Sequence, residues 1–265
     1  MRRQFTWYST KGIFRLGCIA LVLFSSLATA QAHTEDSSLL EFDPLADGEQ
    51  ALHHHIDTGG KAIIGSSVLG FTLAREFDPA ARDYFNGQNR IGGLSHLGND
   101  FLGTGVPGIL AGAGLWIYGA ESRSPYEFHA GIASLESLFE TFVLTSVLKI
   151  TVQRTRPDGS NTASFPSGHT STVAASSMVL AEFYGWRAAV PAFLLTALTG
   201  ASRMGADKHW LSDTVAGAAL GVWSGYAVSR SHLERLEPRR ESGCWELAPQ
   251  IWSSGAALVF SAEFP

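Results

Sequence analysis

Apolar residues in this chain come in long blocks separated by Gly, Pro, Asn and charged clusters, a pattern that predicts helices rather than strands. Six blocks reach helical length: 62–77, 104–120, 130–155, 169–184, 187–202 and 208–231. A Gly/Asn-rich connection up to Asp100 follows the first, Ser122-Arg123-Ser124-Pro125 breaks the second from the third, and 158–165 is a loop. The second block is rich in Gly and Ala, which suits close helix packing. Glu136 and Glu140 share one face of the third, where they are expected either exposed or paired with a neighbouring helix. Short connections favour antiparallel neighbours, so the expected fold is all-α, a six-helix antiparallel bundle. Beyond a charged stretch at 232–240, residues 245–264 alternate weakly and contain Ala257-Leu258-Val259-Phe260-Ser261. A short β hairpin or an extended arm is expected there.

The N-terminus changes the picture of where this bundle resides. Arg2, Arg3, Lys11 and Arg15 precede an apolar run at 16–27, followed by the small-residue sites Ala28-Thr29-Ala30 and Ala30-Gln31-Ala32. Residues 1–30 therefore read as a cleaved secretory signal peptide. The remaining chain divides into a polar segment at 31–58, with a short helix expected around Gly48 to Ile56, a helical domain at 59–232 and a tail at 233–265. Removing those four cations and no acid moves the formal charge from −5 to −9, which excludes nucleic acid as a partner. Cys18 leaves with the signal and only Cys244 remains, so no internal disulfide forms. His53-His54-His55 do not share one helix face and have no Cys or Glu at ligand spacing, so they read as a solvated run rather than a metal site.

Chemistry concentrates between Lys149 and Asp213. Lys149 and Arg156 are two helical turns apart, so both are expected to point the same way from a helix that Pro157 stops at Arg156. Pro166-Ser167-Gly168-His169 opens another helix, whose free N–H groups favour an anion, and Gly168 allows close backbone approach. Arg203 ends an apolar run with a planar donor fork suited to phosphate oxygens. His209 and Asp213 stand at i and i+4, so a shared helix lets the carboxylate hold one ring nitrogen and free the other to attack. These residues lie at the ends of the third and fifth blocks and the starts of the fourth and sixth, which antiparallel packing gathers at one end of the bundle. Arg154, Asp207 and Lys208 read as surface charges, and His96 as a polar loop residue.

The order Lys149-(six residues)-Arg156-Pro157, Pro166-Ser167-Gly168-His169 and Ser202-Arg203-(five residues)-His209-(three residues)-Asp213 resembles the type 2 phosphatidic acid phosphatase family, which shares its core with bacterial class A acid phosphatases and vanadium haloperoxidases. The resemblance implies hydrolysis of a phosphomonoester or pyrophosphate, of a lipid or a small molecule, through a phosphohistidine. It casts His209 as nucleophile, Asp213 as its partner and His169 as the acid and then the base; Lys149, Arg156, Arg203 and the Ser167-Gly168 backbone bind phosphate. No metal or cofactor is implied, since protein cations fill magnesium's role. Two rival classes share this scaffold: a vanadium-dependent haloperoxidase and a non-enzymatic phospholipid- or phosphate-binding protein. Were all six helices to cross a membrane after a cleaved signal, the site would face the cytoplasm. The expectation is therefore a periplasmic globular enzyme with peripheral membrane contact through its apolar surface or tail.

Overall fold

The computed structural model describes residues 40–85, 92 and 94–236, together with the backbone of two strands at 245–252 and 255–262. The expected signal peptide and its cleavage site lie outside the described residues. From Pro44 onward the chain forms one compact unit. Its helices are α1 (Pro44–His55), α2 (Thr58–Glu76), α3 (Asp78–Phe85), α4 (Val106–Ser122), α5 (Pro125–Val152), α6 (Gly168–Tyr184), α7 (Trp186–Gly205) and α8 (Leu211–Leu236). Helical turns also run from Leu94 to Thr104. Each of the six predicted blocks is a helix, while α1, α3 and the turns before α4 add to the six-helix expectation. Strand β1 (Trp245–Trp252) pairs antiparallel with β2 (Gly255–Ala262), Trp252 opposite Gly255, as the expected hairpin.

Local chemistry explains where the helices begin and end. Asp57 caps α2 by accepting from the Gly60 N–H at 2.7 Å, which starts that helix ahead of its apolar block. Pro125 occupies the first turn of α5, where its missing N–H costs nothing. Helix α5 stops at Val152 because Gln153 turns left-handed with φ 48°, so the expected continuation to Thr155 and Arg156 is corrected.

Helix α8 is the hub. It packs on α1, α2, α5 and α6, while α6 also meets α5 and α7, and α4 lies on α5. Gly217, Gly221 and Gly225 repeat at i, i+4 and i+8 along α8, and a Cβ on Gly221 would stand 2.2 Å from the Ser171 carbonyl oxygen of α6. This small-residue stripe lets the two helix backbones approach and brings their first turns together.

The end of the bundle away from the start of α8 is polar. His54 and His55 are buried. His55 pairs with Glu140 at 2.8 Å and its ring meets Trp223 edge-on at 4.4 Å. His54 pairs with Asp57 at 3.0 Å and Glu234 at 3.1 Å. The solvated reading of the His run thus fails for two of its three members, because α1 lies against α8 and turns them inward. Glu136 pairs with His232 at 2.7 Å and His232 meets His129 at 2.9 Å, so Glu136 and Glu140 both take the neighbouring-helix alternative. Asp47, Glu136 and His232 bring ligand atoms within 4.8 Å of one another, but Asp47 already pairs with Arg235 at 2.6 Å.

The outer surface is apolar. Leu69 of α2, Leu110 of α4, Ile150 of α5 and Leu194 of α7 are between 61% and 71% exposed. Among the described residues, α5 is long and apolar enough to cross a membrane, and Leu94–Thr104 with α4 forms a second such stretch bent by 54°.

The close contact between α6 and α8 yields a stability prediction. A Gly→Ala change inside a helix ordinarily gains about 1 kcal/mol. Gly221→Ala should instead destabilise by about 1–3 kcal/mol, because the methyl meets a backbone oxygen that cannot move aside cheaply. Thermal unfolding in detergent checks this: the midpoint should fall, and an unchanged or raised midpoint would contradict the packing.

Candidate active site

All eight residues singled out from the sequence surround the first turns of α6 and α8. Lys149, in the last turn of α5, donates from Nζ to the carbonyls of Ala163 at 2.8 Å and Pro166 at 2.7 Å. An ammonium has three protons, so this clamp leaves one for a ligand. Arg156 does not share a helix with Lys149, contrary to the two-turn expectation. It follows the left-handed Gln153 in the loop, where its N–H donates to the Asn161 carbonyl at 3.0 Å. Arg203 sits in the last turn of α7, and its Nη1 donates to Asn99 Oδ1 at 3.0 Å. The Nε–H groups of Arg156 and Arg203 are buried without a hydrogen-bond partner among the described residues. Two such donors beside an ammonium suit a tetrahedral oxyanion.

The start of α6 supplies backbone donors, with one shift from expectation. The Ser167 N–H is already taken by the Asp213 carbonyl at 2.9 Å, and Ser167 Oγ lies 2.9 Å from Thr170 Oγ1. The N–H groups of Gly168 and His169 in the first turn are the ones placed for an anion. The His169 ring packs against Gly103, where a Cβ would stand 2.3 Å from His169 Cδ2, so the turns before α4 form its far wall.

His209 and Asp213 do not share a helix, since α8 begins at Leu211. The ring of His209 is buried and its Nδ1 lies 2.6 Å from the Ser164 carbonyl, whereas Asp213 Oδ2 is 3.9 Å away, beyond hydrogen-bond reach. The backbone carbonyl therefore fixes the tautomer: Nδ1 carries the proton and Nε2 keeps its lone pair. Asp213 acts one step back. Its Oδ2 accepts from Ser164 Oγ at 2.5 Å and from the Trp210 N–H at 3.0 Å, and its Oδ1 accepts from Arg154 Nη1 at 2.6 Å. Arg154 also reaches Asp78 Oδ2 at 2.7 Å, so its reading as a surface charge is corrected. Asp207 forms a two-pronged pair with Arg82 at 2.9 and 2.8 Å, and Lys208 meets Asp158 at 2.5 Å. His96 is exposed and pairs with Asp100 at 2.9 Å, polar as expected but in the helical turns that run from Leu94 rather than in a loop.

The electrostatics follow from gathering like charges out of water. Burial pushes the His169 imidazole down to about 4, with Arg203, His209, Lys149 and Arg156 all pressing the same way. Burial also takes His209 down to about 4; Asp213 opposes, and Lys149 and Arg203 add to the fall. Lys149 drops to about 8 through burial and the charges of Arg156 and Arg203, and Arg203 to about 10 through burial and Arg156. Burial alone would raise the Asp213 carboxyl, but His209, Ser164, Arg154 and the Trp210 N–H outweigh it and hold it below its ordinary range. A buried imidazole with a free Nε2, close to two cations and a second imidazole, can attack an electrophilic phosphorus while the surrounding cations take up charge on its oxygens.

The fold and site define a class: a helical bundle with an oxyanion site built around two histidines at one end. The sequence profile of the PAP2 superfamily matches residues 130–237, a span that holds all eight of the residues singled out from the sequence. A lipid A 1-phosphatase of Porphyromonas gingivalis is 39% identical over 80 residues, which make up 29% of this chain and 18% of that protein. The match thus spans less than a fifth of that relative. Among solved structures, the chain resembles a transmembrane PAP2 type phosphatidylglycerolphosphate phosphatase from Bacillus subtilis at 23% identity, with a TM-score of 0.43 over 77% of this chain and 98% of that one.

Sequence reading missed Ser164, Asp78 and Asn99. Asp78 at the head of a short helix was the one with a signal, a capping-type residue followed by Pro79. Asn99 lies in the short helical turns before α4 and Ser164 in a loop, and neither stretch has an apolar period that marks it.

The depressed imidazoles predict how the site answers an anion. In the ligand-free protein, histidine proton resonances of His169 and His209, assigned with His169→Ala and His209→Ala, should titrate near pH 4. Inorganic phosphate offsets the surrounding cations, so both titrations should move upward by about one unit or more. Titration near 6.5 without phosphate, or no shift with it, would contradict the arrangement.

Proposed function

We propose that this protein is a metal-independent phosphatase that removes a terminal phosphoryl group from a lipid phosphate or pyrophosphate through a phosphohistidine. The observation that carries the reading is the His209 ring, held at Nδ1 by the Ser164 carbonyl at 2.6 Å with Nε2 free beside Lys149 and Arg203. His209 Nε2 attacks phosphorus, forming an N–P bond as the P–O bond to the leaving group breaks. Lys149, Arg156, Arg203 and the Gly168 and His169 N–H groups take up charge on the three equatorial oxygens. His169 gives its proton to the leaving oxygen. It then takes one from water, whose oxygen attacks phosphorus, breaks the N–P bond and releases phosphate. The imidazolium formed on His209 during this sequence stands 3.9 Å from Asp213, whose charge favours it.

Two observations support a lipid as substrate: the apolar outer faces of α2, α4, α5 and α7, and the similarity to a protein named a lipid A 1-phosphatase. In this reading residues 1–30 direct export, the signal is removed, and the periplasmic protein rests against a membrane through that surface.

Hydrolysis of an aryl phosphate should survive a chelator and be blocked by vanadate, which mimics pentacoordinate phosphorus. Loss on chelation with recovery on adding a divalent metal would contradict the mechanism. Across a panel of phosphatidate, polyprenyl pyrophosphate, lipid A phosphate and a soluble phosphomonoester, the lipids should be turned over at higher kcat/KM. His169→Ala should slow an alkyl phosphate by about 100-fold or more and an activated aryl phosphate far less, because a good leaving group needs little protonation. Equal losses on both substrates would remove His169 from the acid role.

A further inference from the structure

We propose that Asp78 and Arg154 are positioning residues for the nucleophile, which through Asp213 set the charge and the orientation of the carboxylate beside His209. The inference rests on His209 being the nucleophile. Neither residue belongs to the spacing pattern that marks the site, and Asp78 lies outside the matched span 130–237.

The geometry is a buried chain of charges. Arg154 donates from Nη1 to Asp213 Oδ1 at 2.6 Å and from Nη2 to Asp78 Oδ2 at 2.7 Å. The side chains of Arg154, Asp78 and Asp213 are 18%, 6% and 0% exposed, so little water screens them. Asp78 also accepts from the Ser212 N–H at 2.8 Å and from Ser212 Oγ at 2.7 Å, which pins the first turn of α8 to the head of α3. Arg154 is steadied from the side by Trp210, whose ring centroid is 5.4 Å from the guanidinium carbon. The chain therefore fixes Asp213 at one end of its carboxylate, while Ser164 and the Trp210 N–H fix the other.

Charge balance gives the chain its function. A lone Arg154–Asp213 pair would be neutral, and Asp213 would lose most of its pull on the imidazolium that forms as His209 attacks. Asp78 restores a net single negative charge to the trio. The other charged groups acting around His209 are Lys149 from α5, His169 from α6 and Arg203 from α7, all of which disfavour that imidazolium. The trio is the counterweight.

The test is a double-mutant cycle on aryl phosphate, with kcat and KM measured from pH 3.5 to 8. Asp78→Asn should lower kcat by about 10- to 100-fold with little change in KM, as loss of an outer partner of a reactive group commonly does, and should move the acid limb to lower pH. Arg154→Gln should move that limb to higher pH. The double variant leaves Asp213 alone with the same net charge, so it should be faster than Asp78→Asn and return the limb towards that of the unaltered protein. Arg82→Gln removes the pair with Asp207 and a cation–π contact 5.6 Å from the Trp210 ring centroid but none of the hydrogen bonds within the trio, and should leave the limb in place.

Singles whose losses multiply in the double variant, with no movement of the limb, would show a merely structural role and overturn the proposal. So would an Asp78→Asn protein with unaltered kcat and profile. Should Asp78→Asn fail to fold, Arg154→Lys carries the test: it keeps the charge and loses the fork, so kcat should fall with the limb unmoved, and a moved limb would overturn the proposal. Failure of the underlying reading is seen separately, as full turnover by His209→Ala.

Discussion

Three cations held close together out of water are the constraint on which the rest of this structure depends. Lys149, Arg156 and Arg203 come from the end of α5, the following loop and the end of α7, and each is partly stripped of solvent. Such a group repels itself, and only anchoring on its neighbours keeps it assembled. Lys149 is held by two carbonyls and Arg203 by Asn99. The Nε–H groups of both arginines, without partners among the described residues, are the donors that the proposed oxyanion substrate would satisfy. The same field keeps both imidazoles neutral, as the proposed nucleophilic role of His209 requires. It also makes protonation of His169 dependent on an anion being bound.

Packing supplies the anchor points. The glycine stripe on α8 brings α6 and α8 together closely enough for the Ser167 N–H to bond the Asp213 carbonyl, which locks the two first turns in register. Helix α3 then joins from outside the matched span, bringing Asp78 to Ser212 and Arg154. At the other end, the pairs His54–Glu234, His55–Glu140 and Asp47–Arg235 hold α1 against α8 and α5. The apolar outer faces take no part in the site; they are what a lipid-presenting membrane would meet.

That the eight candidate residues come together was legible in the sequence, because spacing fixes which helix ends they lie near and antiparallel packing does the rest. Their contacts were less legible. Periodicity predicted α5 running on to Arg156 and α8 starting before His209, and both failed where backbone chemistry outweighed apolar pattern. Gln153 turned left-handed, and Ser164 supplied from a loop the hydrogen bond expected of Asp213. Arg154 read as a surface charge because its partner Asp78 is 76 residues away, a separation that no local pattern encodes. The buried His54 and His55 were misread for a related reason: consecutive residues do not share one face, yet two neighbours can both turn inward when a short helix lies flat against the bundle.

The central claim is that the phosphoryl group passes through Nε2 of His209. It is tested most directly by acid- and base-quenching the protein during turnover of a phosphorus-labelled aryl phosphate and locating the label by peptide mass analysis. The account predicts a base-stable, acid-labile phosphoryl group on His209 that is absent from His209→Ala. Label on another residue, or sustained turnover by His209→Ala, would contradict it.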